Sequence, residues 1–295
     1  MKNVLVTGAK GMLGVDVCRV FSDKYNVFPT DVDEMDVRNY DQVRRTIAKV
    51  KPDVILHLAA MTDVDACERE PDLAYRANAI GTQNIALAAN DCDAVLVYLS
   101  TGSIYGGDKE YPYTEYDEPV PKSIYSKSKL AGEEWVSRTA RKFFIITAGW
   151  MFGGGILDKK FVRKIIELSY QKKELKVVND KFGSPTYTVD LSMGILDILE
   201  WGRYGKYHMA NEGYCTRFEL AKKIMSIIDN KSCRLRPVSS EEFPLAAPRP
   251  RMEAIHNYNL MLMGKEIMRP WENALEDYVN LITREEKKLQ DTRKK

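Results

Sequence analysis

The chain has 295 residues, 44% of them hydrophobic, which suits one large α/β unit or a domain with a smaller companion. Forty-four Lys and Arg against 42 Asp and Glu give a formal charge of +2, too balanced for a chain that wraps nucleic acid or coats an acidic membrane. The five cysteines, at 18, 67, 92, 215 and 233, never form a CxxC pair, which argues against a disulfide framework or a zinc site and fits a reducing, cytoplasmic compartment.

The start, MKNVLVTGAKGMLG, is broken by Thr7 and Gly8 and does not read as a signal peptide. No stretch approaches the roughly 18 to 20 apolar residues of a membrane span. Residues 3–7 predict a strand and 12–23 a helix, with Gly8, Gly11 and Gly14 at three-residue intervals between and into them. Glycine suits that turn because the backbone needs unusual angles and a pyrophosphate needs close approach, while the helix start supplies free N–H groups.

The next strand, 26–30, ends at Asp31, 23 residues beyond Gly8. A carboxylate there can accept the adenosine ribose hydroxyls and repel a 2′-phosphate, favouring NADH over NADPH, with Arg38 and Lys24 near enough in sequence to soften the preference. The alternative is a solvated turn aspartate. A helix at 40–50, a strand at 53–59, a helix at 66–90 and a strand at 94–100 continue the alternation.

That fourth strand ends in YLSTGSIYGG, which brings Ser100, Thr101 and Ser103 to the edge where open α/β sheets bind ligands. The helix at 123–141 carries Tyr125 and Lys129 four residues apart, so both side chains lie on one face. A phenol ordinarily titrates near ~10, so proton transfer at neutral pH calls for a nearby ammonium, and burial pushes the other way. Lys127 points elsewhere.

A strand at 143–148 completes the βαβ run, and residues 1–150 are expected to form a Rossmann-type, doubly wound parallel sheet. Helices at 156–171, 190–201 and 216–229 and strands at 175–178 and 206–210 then predict a smaller C-terminal α/β lobe over 151–283, mainly substrate-binding, with some later segments returning to the first domain. FPLAAPRPRM is either a substrate-side loop or a plain connector. A last helix from about Trp271 leads into the charged tail 284–295, expected to be frayed and solvated. The tail holds six basic and three acidic residues, leaving 38 basic against 39 acidic in the rest, so the positive excess belongs to it.

His57, His208 and His256 are far apart, and His57 inside an apolar strand reads as a satisfied core residue. No metal-spaced set of ligands occurs, and nothing in the pattern predicts a structural divalent ion.

In order and content, TGAKGMLG, PDVILHLAAMTDVDACEREPDLAYRANAIGTQNIA, LST with IYG, YSKSKLAGEE, GWMFG, VVNDKFGSPT, YHMANEGYCTRFELAKKI, APRP and PWENAL resemble the dTDP-4-dehydrorhamnose reductase family, within the extended short-chain dehydrogenase/reductase superfamily. The resemblance implies an NAD(P)H-dependent enzyme that reduces the C4 keto group of a nucleotide-sugar. It places Gly11, Met12 and Leu13 against the cofactor pyrophosphate, with Gly8 and Gly14 in the same turn. Asp31 would meet the ribose, Asp36 and Val37 the adenine, and Ala60, Met61 and Thr62 the nicotinamide half. Tyr125 and Lys129 would be the acid/base and its partner, both also against the cofactor. Thr101 would bind the substrate carbonyl, with Gly102, Trp150 and Arg249 in the sugar pocket. Asn78 would brace the sheet. A homodimer is compatible with the resemblance.

Three departures fall on the substrate side. Gly102 and Ser103 stand where the family commonly has Asp-Tyr, Thr147 where it has Arg, and Arg251, Met252 and Glu253 where a small residue precedes Asn-Ser. The first disfavours a dehydratase, which needs an Asp-Glu pair beside the threonine. A reductase of another nucleotide-linked 4-keto sugar and, from a different class, a cofactor-binding regulatory subunit such as the one that partners methionine adenosyltransferase are the rival readings.

Overall fold

The computed structural model describes residues 1–293, with side chains through residue 285. The first half runs β1 (Lys2–Thr7), α1 (Met12–Phe21), β2 (Tyr25–Thr30), α2 (Tyr40–Val50), β3 (Val54–His57), α3 (Val64–Arg69), α4 (Pro71–Tyr75), a π-turn (Arg76–Ile80), α5 (Gly81–Asp91), β4 (Val95–Thr101), α6 (Ile124–Thr139) and β5 (Phe143–Ala148). The second half runs β6 (Trp150–Phe152), α7 (Phe161–Gln171), β7 (Glu174–Val178), β8 (Phe182–Gly183), β9 (Pro185–Tyr187), α8 (Thr188–Trp201), β10 (Gly205–His208), β11 (Cys215–Thr216), α9 (Arg217–Ile227), β12 (Arg234–Val238), α10 (Tyr258–Leu262) and α11 (Trp271–Arg293).

Six strands form one parallel sheet in the order β10-β5-β4-β3-β1-β2. The order turns back on itself at β1, so the loops after β1 and β3 diverge there and open a crevice at the strands' carboxyl ends. Alternation along β1 explains how both faces are covered: Val4 and Val6 pack with Leu13, Val17, Phe21, Leu191 and Ile195 from α1 and α8. Leu5 faces the other way, into Val43, Ile47, Ile85 and Val136 from α2, α5 and α6. His57 is fully enclosed, its ring nitrogens 2.9 and 3.1 Å from the hydroxyls of Thr7 and Thr82. Burial lowers its pKa to about 3, so it is a neutral core residue.

A second core joins α7, α9 and α11 to the two-stranded parallel pair β7 and β12, with Ile165, Leu175, Ile224 and Tyr278 at its centre. The segment from α8 through β10 belongs to the six-stranded sheet, since α8 packs on α1 and β10 extends the sheet beside β5.

The helix expected over 66–90 is divided. Pro71 at the first position of α4 ends the preceding turn, and the π-turn inserts an extra residue before α5. The tail expected to be frayed continues as helix to Arg293; residues 294–295 lie outside the described residues. All five cysteines are free thiols, and no described helix is long and apolar enough to cross a membrane. The described residues contain no group of three or more His, Cys, Asp or Glu arranged to hold a metal.

Candidate active site

The loops at the carboxyl ends of β1 to β5 and the inner face of the second lobe enclose a cleft of roughly 990 Å³. Gly8, Gly11, Met12, Leu13, Gly14, Asp31, Asp36, Val37, Ala60, Met61, Thr62, Thr101, Tyr125, Lys129, Trp150 and Arg249 all line it. Gly102 does not. Its Cα is covered by the backbone of Glu253, whose carbonyl oxygen would lie 2.6 Å from an added Cβ, so glycine there serves packing and not direct contact.

The glycine turn is built for a close approach. Gly8 is left-handed at φ +68°, and a Cβ on Gly14 would meet the Gly8 carbonyl at 2.3 Å. Gly11 caps α1 without any side-chain hydrogen bond, so the first N–H groups of the helix, at the cleft-lining Met12, Leu13 and Gly14, have no side-chain acceptor. Gly14→Val should therefore distort the turn, and isothermal titration is expected to show NADH affinity falling at least about tenfold.

Asp31 accepts the backbone N–H of Lys10 at 3.0 Å and of Val32 at 2.8 Å, which fixes its carboxylate at the end of β2. The Lys10 ammonium reaches Asp33 and Glu34, and Arg38 forks onto Asp36, so both cleft-lining cations near Asp31 already have carboxylate partners. Lys24 pairs instead with Glu200 and is not among the residues lining the cleft, so it cannot act on cofactor choice as the sequence suggested.

Asn78 lies in the π-turn. Its amide accepts the Met61 N–H at 2.8 Å and donates to the Met61 carbonyl at 3.1 Å and the Ser128 hydroxyl at 2.9 Å. It braces the Ala60–Thr62 loop against α6.

Ser123 caps α6, so the helix starts just before Tyr125 and presents Tyr125 and Lys129 to the cleft one turn apart. Thr101 ends β4 beside them and contacts Ser103 at 3.1 Å, continuing through Ser126 to Ser123 in a chain of hydroxyls. Burial raises the Tyr125 phenol to about 12, partly opposed by the Thr101 hydroxyl. Burial likewise lowers Lys129 to about 7, with Glu133 acting the other way. The expected depression of the phenol by the ammonium is thus not what governs this site: desolvation disfavours the phenolate and the ammonium alike. The Lys129 ammonium lies 4.2 Å from the centre of the Tyr98 ring, a contact that partly compensates its lost hydration.

At the sugar end, the Trp150 indole N–H donates to Glu253 at 2.9 Å. Its ring lies against Gly183, where a Cβ would come within 2.1 Å. Arg249 reaches the cleft but its guanidinium is held by Asp65 at 2.9 Å and by the Ala247 carbonyl at 2.8 Å. Thr147, the family's arginine position, is buried within β5 and is not among the lining residues. Sequence reasoning missed Arg217 and Lys10 as cleft residues and assigned Glu253 no contact. Arg217 had one local signal: a cation in the first turn of a helix faces the positive end of its dipole and needs another reason to be there.

A glycine-turn helix start, a strand-end acid, and a threonine, tyrosine and lysine gathered in one cleft define a nicotinamide-dependent oxidoreductase of the short-chain dehydrogenase type. Residues 1–284 match the family model of the RmlD substrate binding domain. The chain is 36% identical to the spore coat polysaccharide biosynthesis protein SpsK of Bacillus subtilis, covering 95% of this chain and 97% of that one. A solved dTDP-4-dehydrorhamnose reductase from Clostridium acetobutylicum superposes with a TM-score of 0.92 at 37% identity, covering 95% and 99% of the two chains. Another from Bacillus anthracis, in complex with NADP, gives 0.90 at 39% identity over 94% and 98%. The chain belongs to the RmlD family, the family of the dTDP-4-dehydrorhamnose reductases.

Proposed function

We propose that the chain reduces the C4 keto group of dTDP-4-dehydro-L-rhamnose to give dTDP-L-rhamnose. The observation that carries this reading is the placement of Thr101, Tyr125 and Lys129 in the same cleft as the glycine turn and the strand-end Asp31. The cradle fits a dinucleotide: Gly8 and Gly14 let the turn pack so closely on Ala59 and on itself that no Cβ is tolerated at either, and the uncapped start of α1 offers N–H groups to a pyrophosphate. The nicotinamide supplies a hydride to C4 when bound. Thr101 orients the carbonyl oxygen by hydrogen bonding. Tyr125, protonated at neutral pH, gives its phenolic proton to the forming alkoxide, a stronger base than the phenolate left behind. Lys129 presents its amine donors on the same wall, where the ribose of the nicotinamide would lie.

The cofactor is NADH or NADPH, and the fixed Asp31 carboxylate favours NADH. Asp31→Ala should shift kcat/KM toward NADPH by roughly tenfold, the scale of one lost charge repulsion in a partly exposed site. An unchanged NADH to NADPH ratio would remove Asp31 from cofactor choice.

Purified protein with dTDP-4-dehydrorhamnose should consume NAD(P)H, whereas absence of consumption with this and every other keto sugar, together with a stable protein partner on pull-down, would favour the regulatory-subunit reading. Glu253, which lines the cleft and holds Trp150, and Met252 beside it support a second reading, a reductase of another nucleotide-linked 4-keto sugar. A panel of dTDP-, UDP- and GDP-linked 4-keto sugars separates the two. A homodimer and a cytoplasmic location are part of the same proposal.

A further inference from the structure

Three guanidinium groups line the cleft, and they differ in what they touch. Arg38 is paired with Asp36 and Arg249 with Asp65. Arg217 makes no hydrogen bond and no ion pair among the described residues. Its guanidinium stacks 3.5 Å from the centre of the Trp150 ring and 4.9 Å from that of Phe161. Such stacking fixes the plane of the fork while leaving its N–H edge free to bind.

Helix chemistry does not account for Arg217. It opens α9 immediately after Thr216, where Thr216 and Glu219 already complete a capping box. A cation at that end opposes the helix dipole. Burial lowers its pKa to about 10, with Glu253 acting in the opposite direction, so the group stays charged at neutral pH. An unpartnered, partly desolvated guanidinium in a cleft is a receptor waiting for an anion. Lys159 and Lys160 line the cleft as well, just before Phe161.

Position identifies the anion. The Trp150 ring has Glu253 on its indole nitrogen and Arg217 over its face. Glu253 is also close enough to Tyr125 to raise the phenol's pKa. Glu253 acts on Arg217 as well, so Glu253 and Trp150 together connect the Tyr125 end of the cleft to Arg217. A pyranose with its C4 carbonyl at Tyr125 directs its anomeric carbon away from the tyrosine, across the ring.

We propose that Arg217 binds the phosphate joined to the sugar, the distal phosphate of a nucleoside diphosphate, with Trp150 as its backing plate. This rests on the nucleotide-sugar reading. The cofactor pyrophosphate is assigned to the start of α1, so Arg217 has no part in cofactor binding.

The test is isothermal titration of wild type, Arg217→Lys and Arg217→Met, each saturated with NADH, using dTDP and dTMP as probes. dTMP lacks the distal phosphate. For Arg217→Met, dTDP affinity should fall roughly ten- to hundredfold, the range of a charge-assisted contact. dTMP affinity should change less than about threefold, and NADH affinity should not change. Arg217→Lys should recover part of the loss, because the charge returns without the stacked fork. Unchanged dTDP affinity in Arg217→Met, or equal losses for dTDP and dTMP, would overturn the assignment; so would lost NADH affinity. UDP and GDP run in parallel separate the two claims. Should wild type prefer one of them, still through Arg217, the thymidine substrate is wrong and the phosphate assignment stands; if wild type binds none of the three, both fall.

Discussion

Tyr125→Phe should reduce kcat by about 10² to 10⁴, the usual contribution of a positioned general acid, while leaving NADH affinity unchanged. The phenol lies on the cleft wall with Thr101 as its polar neighbour, and burial raises it to about 12. That value suits the reducing direction. The hydroxyl is protonated throughout the neutral range and needs to release its proton only when C4 becomes an alkoxide. Phenylalanine keeps the ring's shape, so the cleft and the packing of α6 persist, and the loss belongs to the proton alone. Steady-state rates beside a direct titration of NADH check both halves; wild-type turnover in the variant would assign the proton to another group.

Lys129→Met should abolish most turnover and, in the protein without cofactor, raise thermal stability at low pH. Lys129 is 4% exposed, and burial lowers its pKa from 10.5 to about 7. Between those values the unfolded chain holds a proton that the folded chain has released, so wild-type stability rises with pH across the window from about 7 to 10.5. Below pH 7 the folded protein carries a buried ammonium, which lowers its stability by an amount on the order of a few kcal/mol. Methionine removes that cost and retains much of the stem's packing. The Tm advantage of Lys129→Met should thus be largest near pH 6 and disappear toward pH 10 in scanning calorimetry. An advantage that does not depend on pH would place the effect in packing instead of charge.

What was legible in the sequence follows the range of the interactions involved. The parallel sheet and the cofactor half depend on short patterns: glycines three apart after an apolar strand, an acid at the end of the next strand, and a tyrosine and lysine one turn apart. Each is local, and each lies on the cleft wall. The sugar half depends on contacts between distant segments. Gly102 stands beside Thr101 in the chain, yet Glu253 closes over it from another loop. Arg249 reads as a free cation until Asp65 is seen to hold it. Arg217 acquires its meaning only from Trp150 beneath it.

The fold divides in the same way. β6, β8, β9 and β11 are too short to show alternation, and β12 contains Pro237, tolerated because that strand pairs on one side only. The break at 70–80 is marked in the sequence by Pro71, which ends a helix; the π-turn after it carries no glycine or proline to mark it. That turn matters to the site, since it carries Asn78, which braces the loop at Met61.

Hydride delivery to C4 of dTDP-4-dehydrorhamnose, with the proton coming from Tyr125, can be followed atom by atom. Incubation with NADH carrying deuterium at both nicotinamide C4 positions, followed by NMR of the nucleotide-sugar, does so. The expected product is dTDP-L-rhamnose with deuterium at C4, formed by wild type and nearly lost in Tyr125→Phe. An unlabelled product, deuterium at another carbon, or equal labelling by the variant would contradict it.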